Sequence, residues 1–221
     1  MKRKVAILGV FILCVSLFLT GGKPKLVSEA EAKQVGRAFI NHVFDVNDTE
    51  AVVSFQTQAG AIYNDGEYIK TDEEQPIYYY SVVTPKFEDG RTRYFAFVNA
   101  ETGVAYAAEQ SYALVPKMTV DQCATWNKVK GNGDVNTFDY ARMNVSCTDF
   151  ARKWISEKFD LKAKMLGFVD SGSIYDQDGA NTNFYVVIRD GTIYHLSLAW
   201  PQLTVLEITV LNQTRPTGDL P

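Results

Sequence analysis

Gly36-Arg37-Ala38-Phe39-Ile40-Asn41-His42-Val43-Phe44-Asp45-Val46 returns later in the chain as Ala151-Arg152-Lys153-Trp154-Ile155-Ser156-Glu157-Lys158-Phe159-Asp160-Leu161. Arg, Ile, Phe and Asp are identical at matched positions, and Phe39/Trp154 and Val46/Leu161 are conservative pairs. Ahead of the first copy, Ala32, Val35, Phe39 and Val43 recur at three- and four-residue spacing, the mark of an amphipathic helix. Ser28 followed by Glu31 forms a capping-box pattern, so a helix is expected over residues 28–44. Around the second copy, Cys147, Phe150, Trp154 and Ile155 supply the apolar face of a helix expected to start near Ser146 or Thr148. A strand-rich region follows each helix. The expected fold is α+β, with two repeated units, each an N-terminal helix packed on an antiparallel β-meander.

The strands of the first unit are expected at residues 51–58, 77–83, 91–99 and 104–108, from period-two alternation and β-branched or aromatic content. Asn64-Asp65-Gly66, Glu88-Asp89-Gly90 and Thr102-Gly103 are turn signals, and 71–75 is an acidic loop. In the second unit, 164–170 is strand-like and 171–183 reads as a polar loop. Residues 184–189, Asp190-Gly191 and 192–199 then form a hairpin signal, and 204–211 is a last strand. Tyr80-Ser81-Val82-Val83 corresponds to Tyr185-Val186-Val187-Ile188, each followed by Asp-Gly and a tyrosine-bearing strand. Between the units, Thr119 or Asp121 caps a short helix, Gly131-Asn132-Gly133-Asp134 breaks it, and another helical turn is expected at 138–143.

Lys2-Arg3-Lys4 precedes an apolar run from Val5 to Thr20, the order of a signal peptide. A run of roughly 16 residues makes about 24 Å of helix, short of the ~30 Å hydrocarbon core. Length favours cleavage, while Lys23-Pro24-Lys25 directly after Gly22 keeps an uncleaved membrane anchor open. Cys14 lies in the apolar run behind Leu13, where a lipoprotein needs a small residue. The expected segments are 1–22 for export or anchoring, 23–114 for the first unit, 115–145 for a connector, 146–212 for the second unit and 213–221 for a polar tail. Localisation is expected to be extracytoplasmic, secreted or membrane-anchored.

The 221 residues are 46% hydrophobic and 13% aromatic, enough for a buried core. Formal net charge is −4, and leaving out Lys2, Arg3 and Lys4 it is −7, with 19 basic residues against 26 acidic ones. With no basic cluster beyond the N-terminus, the acidic chain is a poor nucleic-acid binder and no nucleic-acid partner is expected. Outside the export segment the cysteines are Cys123 and Cys147. In an oxidising compartment they are a candidate disulfide, against the alternative of two buried thiols.

The capped helix beginning Ser28-Glu29-Ala30-Glu31-Ala32, the meander, and Val98-Asn99-Ala100-Glu101-Thr102-Gly103-Val104 before the last strand resemble the PepSY domain. The resemblance covers about residues 28–109 and, more weakly, 146–211. There Pro201-Gln202-Leu203-Thr204 replaces the Thr-Gly turn. Cystatin-like folds share the layout. The resemblance implies an exported or membrane-tethered, non-catalytic module that binds or restrains a peptidase or another envelope protein. It brings no catalytic residues.

The residues point the same way. His42 and His195 stand without a second His or Cys at ligand spacing, so both read as structural. No G-x-S-x-G, H-E-x-x-H or phosphate-binding glycine loop occurs. A calcium loop closing at Asp139 would put Lys128 and Lys130 at ligand positions, and Asp176-Gln177-Asp178-Gly179 has no closing Glu. No cofactor or metal is expected. Asn47-Asp48-Thr49, Asn144-Val145-Ser146 and Asn212-Gln213-Thr214 match the glycosylation sequon. Tyr78, Tyr79 and Tyr80 are the candidate partner-binding residues, with Tyr79 on one strand face and Tyr78 and Tyr80 on the other. The alternative is a core strand. The expected function is an exported, non-enzymatic envelope protein that binds a protein or peptide, with the membrane a second partner if the leader stays uncleaved. The alternatives are a tethered module positioning a cell-wall or spore hydrolase, and an enzyme with a carboxylate site assembled only in three dimensions.

Overall fold

The computed structural model describes residues 25–58, 61–64, 67–70, 77–84, 87–131, 139–159, 165–176, 179–188 and 191–211. The expected export segment 1–22, the acidic loop 71–75 and the tail 213–221 lie outside the described residues, as do Asp65-Gly66, Asn132 to Phe138 and Asp190. Among the described residues no helix is long and apolar enough to cross a membrane.

The protein is α+β. Helix α1 spans Glu29–Phe44, followed by β1 Val52–Gln58, β2 Ala61–Asn64, β3 Glu67–Lys70, β4 Ile77–Val83, β5 Tyr94–Asn99 and β6 Ala105–Gln110. Helices α2 (Val120–Lys130) and α3 (Tyr140–Lys158) come next, then β7 Met165–Asp176, β8 Gly179–Ile188, β9 Ile193–Trp200 and β10 Thr204–Val210. Eight strands form one antiparallel sheet in the order β1-β4-β5-β6-β10-β9-β8-β7, and β2 and β3 pair only with each other. The sheet is thus two runs of strands in chain order that meet through their last strands, β6 and β10.

One cross-strand row shows where the core lies. Val53, Val82, Ala96, Ala108, Ile208, Leu196 and Phe184 are successive partners from β1 to β8. Side chains in such a row share a face. Ala96, Ala108, Ile208, Leu196 and Phe184 pack with Ile40 and Val43 of α1, Trp126 and Val129 of α2, and Met143, Cys147, Ala151 and Ile155 of α3. All three helices therefore lie on one side of the sheet.

Both copies of the repeated stretch are helical as far as Phe44 and Lys158, and each presents its small residue to the sheet. At Gly36 an added Cβ would lie 2.6 Å from Val82 Cγ2, so α1 sits closer to β4 than a side chain permits. The matched Ala151 is fully buried. The two copies also meet each other. Lys158 Nζ donates to the His42 carbonyl at 2.7 Å and pairs with Asp45 Oδ1 at 2.6 Å, and Phe159 packs on Phe39 and His42.

Ser28 caps α1, its hydroxyl accepting from the Glu31 amide at 3.2 Å. Ser28→Ala is expected to cost about 1 kcal/mol in urea unfolding, with no change in the far-ultraviolet spectrum of the folded protein. Thr119, not Asp121, caps α2, with Gln122 completing a capping box. Helix α3 begins at Tyr140, well before Ser146, so the turn expected over 138–143 is part of one long helix. The polar loop expected over 171–183 is instead the β7–β8 hairpin, paired from Gly172↔Asn183 to Asp176↔Gly179. Serine, asparagine and aspartate disfavour strands only weakly against a backbone ladder, which needs no apolar side chains.

The disulfide candidate is not formed. Cys123 is exposed on α2, while Cys147 is buried on the inner side of α3. One cysteine faces solvent and the other faces the core, and a disulfide needs the two Cβ atoms turned toward each other.

Candidate functional site

None of the three helices covers the opposite face of the sheet. Alternation places there Tyr79, Ser81 and Val83 of β4, Phe95 and Phe97 of β5, Ala107 and Glu109 of β6, Glu207 and Thr209 of β10, and His195 and Ser197 of β9. Two rows cross this face. Val83, Phe95, Glu109, Glu207, Ser197 and Asn183 make one, and Ser81, Phe97, Ala107, Thr209, His195 and Tyr185 make the other.

The end of the face formed by β4, β5 and β6 is aromatic. Phe97 contacts Tyr79 at 5.5 Å between centroids, Phe95 at 5.4 Å and Tyr106 at 6.1 Å. Burial, with a smaller contribution from Tyr79, pushes the Tyr106 phenol up to about 12. Tyr79, Phe95 and Phe97 are half-buried, with ring surface that no helix among the described residues covers.

The centre of the face is acidic. Glu109 and Glu207 stand directly opposite each other across the β6–β10 seam. Glu207 accepts from Thr209 Oγ1 at 2.8 Å, and its Oε1 lies 3.4 Å from His195 Nδ1. The His195 contact, followed by the Thr209 hydroxyl, holds the Glu207 carboxyl below its usual range despite burial. Glu109 has Phe95 opposite on its other side. Burial first, and the Glu207 charge second, push it up to about 7. His195 also lies against Tyr185, centroids 5.2 Å apart.

Of the three candidate partner-binding tyrosines, the structure puts one on this face. Tyr79 lies there, while Tyr80 is 5% exposed under α1, its hydroxyl donating to the Val27 carbonyl at 2.8 Å. Tyr78 faces the helix side as well, stacked on Phe55 at 6.1 Å. Tyr80 is therefore a core residue, and Tyr78 belongs to the side of the sheet that Phe55 shares. His42 holds a helix junction through its ring Nε2 and the Lys158 carbonyl, 2.8 Å apart. His195 does more than the sequence reading assigned it, since it joins the carboxylate pair. Glu109 and Glu207 were missed because each stands alone in its own strand, and only the β6–β10 register brings them together. Phe95 and Phe97 were visible in the alternation of β5, without a sign of which parity the helices cover.

The aromatic and acidic groups adjoin, with Phe95 directly opposite Glu109. A cavity lined by Phe87, Glu88, Asp89 and Arg93 includes none of the cluster, whose acids lie on the surface of a sheet. Among the described residues no group of three or more His, Cys, Asp or Glu side chains is placed to hold a metal ion. Comparison with protein-family models, with curated proteins and with solved structures found no match for this chain.

Proposed function

We propose that this chain is an exported, non-catalytic envelope protein that binds a protein or peptide partner on the helix-free face of its sheet. Residues 1–22 direct export and, if retained, tether it to the membrane. The folded part is read as two copies of a PepSY-like or cystatin-like unit, α1 with β1, β4, β5 and β6, and α3 with β7 to β10. The mirrored strand order supports that reading, as does the matched small-residue contact at Gly36 and Ala151.

The observation that carries the function is the segregation of all three helices to one face, with Tyr79, Phe95 and Phe97 clustered on the other. Aromatic rings supply large contact area with few torsions to freeze, which is why they dominate polypeptide interfaces. The test is capture of a partner from envelope extract by the immobilised protein. Tyr79→Ser combined with Phe95→Ser is expected to weaken capture at least about tenfold, the loss of two aromatic contacts. Glu157→Ser, on the exposed side of α3, is expected to leave capture unchanged. Unaltered capture by the aromatic variant, with loss in the α3 variant, would place binding on the helices and remove this reading.

A further inference from the structure

The two ends of the sheet are not alike. β7 closes one end with two register shifts, between Met165 and Gly167 and between Asp170 and Gly172, and its sequence carries Asp170 and Asp176. Bulges and charges are the usual devices that stop a sheet edge from pairing with another chain. β1 closes the other end with none of them. Its residues Val52-Val53-Ser54-Phe55-Gln56-Thr57-Gln58 include no charge, no proline and no glycine. It pairs with β4 without a break from Val52↔Val83 to Gln58↔Ile77. Its outer edge meets no other strand among the described residues. Val52 is 72% exposed and Phe55 40% exposed.

We infer that β1 is the homodimer interface, pairing antiparallel with β1 of a second copy to make one sheet continuous across both molecules. The strand is self-complementary about Phe55. A two-fold axis there sets Phe55 against Phe55 and Val53 against Thr57 on one face. On the other face it sets Ser54 against Gln56 and Val52 against Gln58. Every pair is neutral, so the like-charge repulsion that usually prevents self-pairing is absent. Ser54 meets Gln56, hydroxyl to amide, and the central pair is aromatic. Phe55 already stacks on Tyr78 and meets Tyr80 edge-on at 5.4 Å, so pairing joins two aromatic clusters into one. A second copy is favoured over an unrelated strand because two identical edges meet in closed, isologous symmetry with no charged or proline residue at any position of the pairing. The seam between β6 and β10 joins the two halves of one molecule in the same edge-to-edge way.

The experiment uses the full chain in mild detergent, with mass measured by light scattering and sedimentation. The wild type is expected to be a dimer. Two variants place charge on exposed β1 positions that make no core contact. One carries Ser54→Lys with Gln56→Lys, and the other carries Ser54→Glu with Gln56→Glu. Each alone is expected to be monomeric, its dissociation constant raised at least about tenfold by like charges facing across the axis. Mixed in equal amounts they are expected to form a heterodimer, which also shows that both variants are folded. Tyr79→Ser with Phe95→Ser is expected to leave the dimer intact, so a failure here is distinct from a failure of the partner-binding reading. A monomeric wild type, or charged variants that still form homodimers, would overturn the proposal.

Discussion

Trp126→Ala is expected to destabilise the protein by about 3 to 5 kcal/mol, the range for removing a large buried aromatic side chain. Trp126 is 2% exposed, and with Val129 it makes up the buried side of α2. Its ring meets Trp200 at 5.9 Å in an edge-on contact, and Lys130 Nζ lies 6.0 Å from its centroid. Trp200 in turn donates from Nε1 to Ser146 Oγ of α3 at 3.0 Å. One side chain thus links α2, the end of β9 and α3. Without it α2 keeps Val129 as its single buried residue. Denaturant unfolding followed by tryptophan fluorescence and by circular dichroism measures the loss. Limited proteolysis is expected to cut first within α2. A loss below about 1 kcal/mol would mean that α2 is only loosely attached, because well-packed buried aromatics do not come out so cheaply.

Glu109→Gln is expected to stabilise the protein at pH 8 by about 1.5 kcal/mol and to leave stability near pH 4 unchanged. The carboxyl of Glu109 titrates near 7 in the folded protein, raised from 4.5 chiefly by burial and then by Glu207. The folded state therefore holds a proton that the unfolded chain has already lost. The stability tied to that proton is fully present below about pH 4.5 and is lost as pH rises through about 7. A shift of that size corresponds to about 3 kcal/mol at full strength, and the partly solvated site roughly halves it. Glutamine keeps the shape and stays neutral at every pH, so the difference between variant and wild type isolates this one group.

The charged and polar groups facing Glu109 are Glu207 across the seam and, beyond it, His195 and Thr209. Glu207 acts in the opposite direction. Its lowered carboxyl, held by His195 and Thr209, contributes stability above about pH 4.5 that is lost as pH falls further. The combined contribution of the pair is therefore expected to be greatest near pH 4.5 and to fall on either side. Urea unfolding of both proteins from pH 4 to 8 checks the sign. A constant difference across that range would show that Glu109 ionises freely in the folded state.

The helices and most strands were legible in the sequence because their signals are local. Ala32, Val35, Phe39 and Val43 mark α1 by spacing alone, and Ser28 marks its start. The strands at 52–58 and 77–83 follow from alternation and β-branched content. Where local propensity is weak, the reading failed. The polar stretch 171–183 pairs as a hairpin because its backbone meets β9 through β8, a circumstance outside any local window. Cys123 and Cys147 each fall on a helix with apolar neighbours. Which way each side chain turns depends on what the helix packs against.

The sequence by itself determined the charged-then-apolar order of residues 2–20, the absence of any recognisable catalytic motif, and the recurrence of Gly36 to Val46 at Ala151 to Leu161, since these rest on residue order and short spacings. The tertiary structure alone decided that β6 and β10 join the two runs of strands, that all helices share one face, and that Tyr79 is turned away from them while Tyr80 is buried. It alone brought Glu109, Glu207 and His195 together. Strand parity says which residues share a side, but not which side the helices will cover. Pairing between distant strands is set by the free energy of the whole packed sheet, and a one-residue change of register would have placed every one of these side chains on the other face.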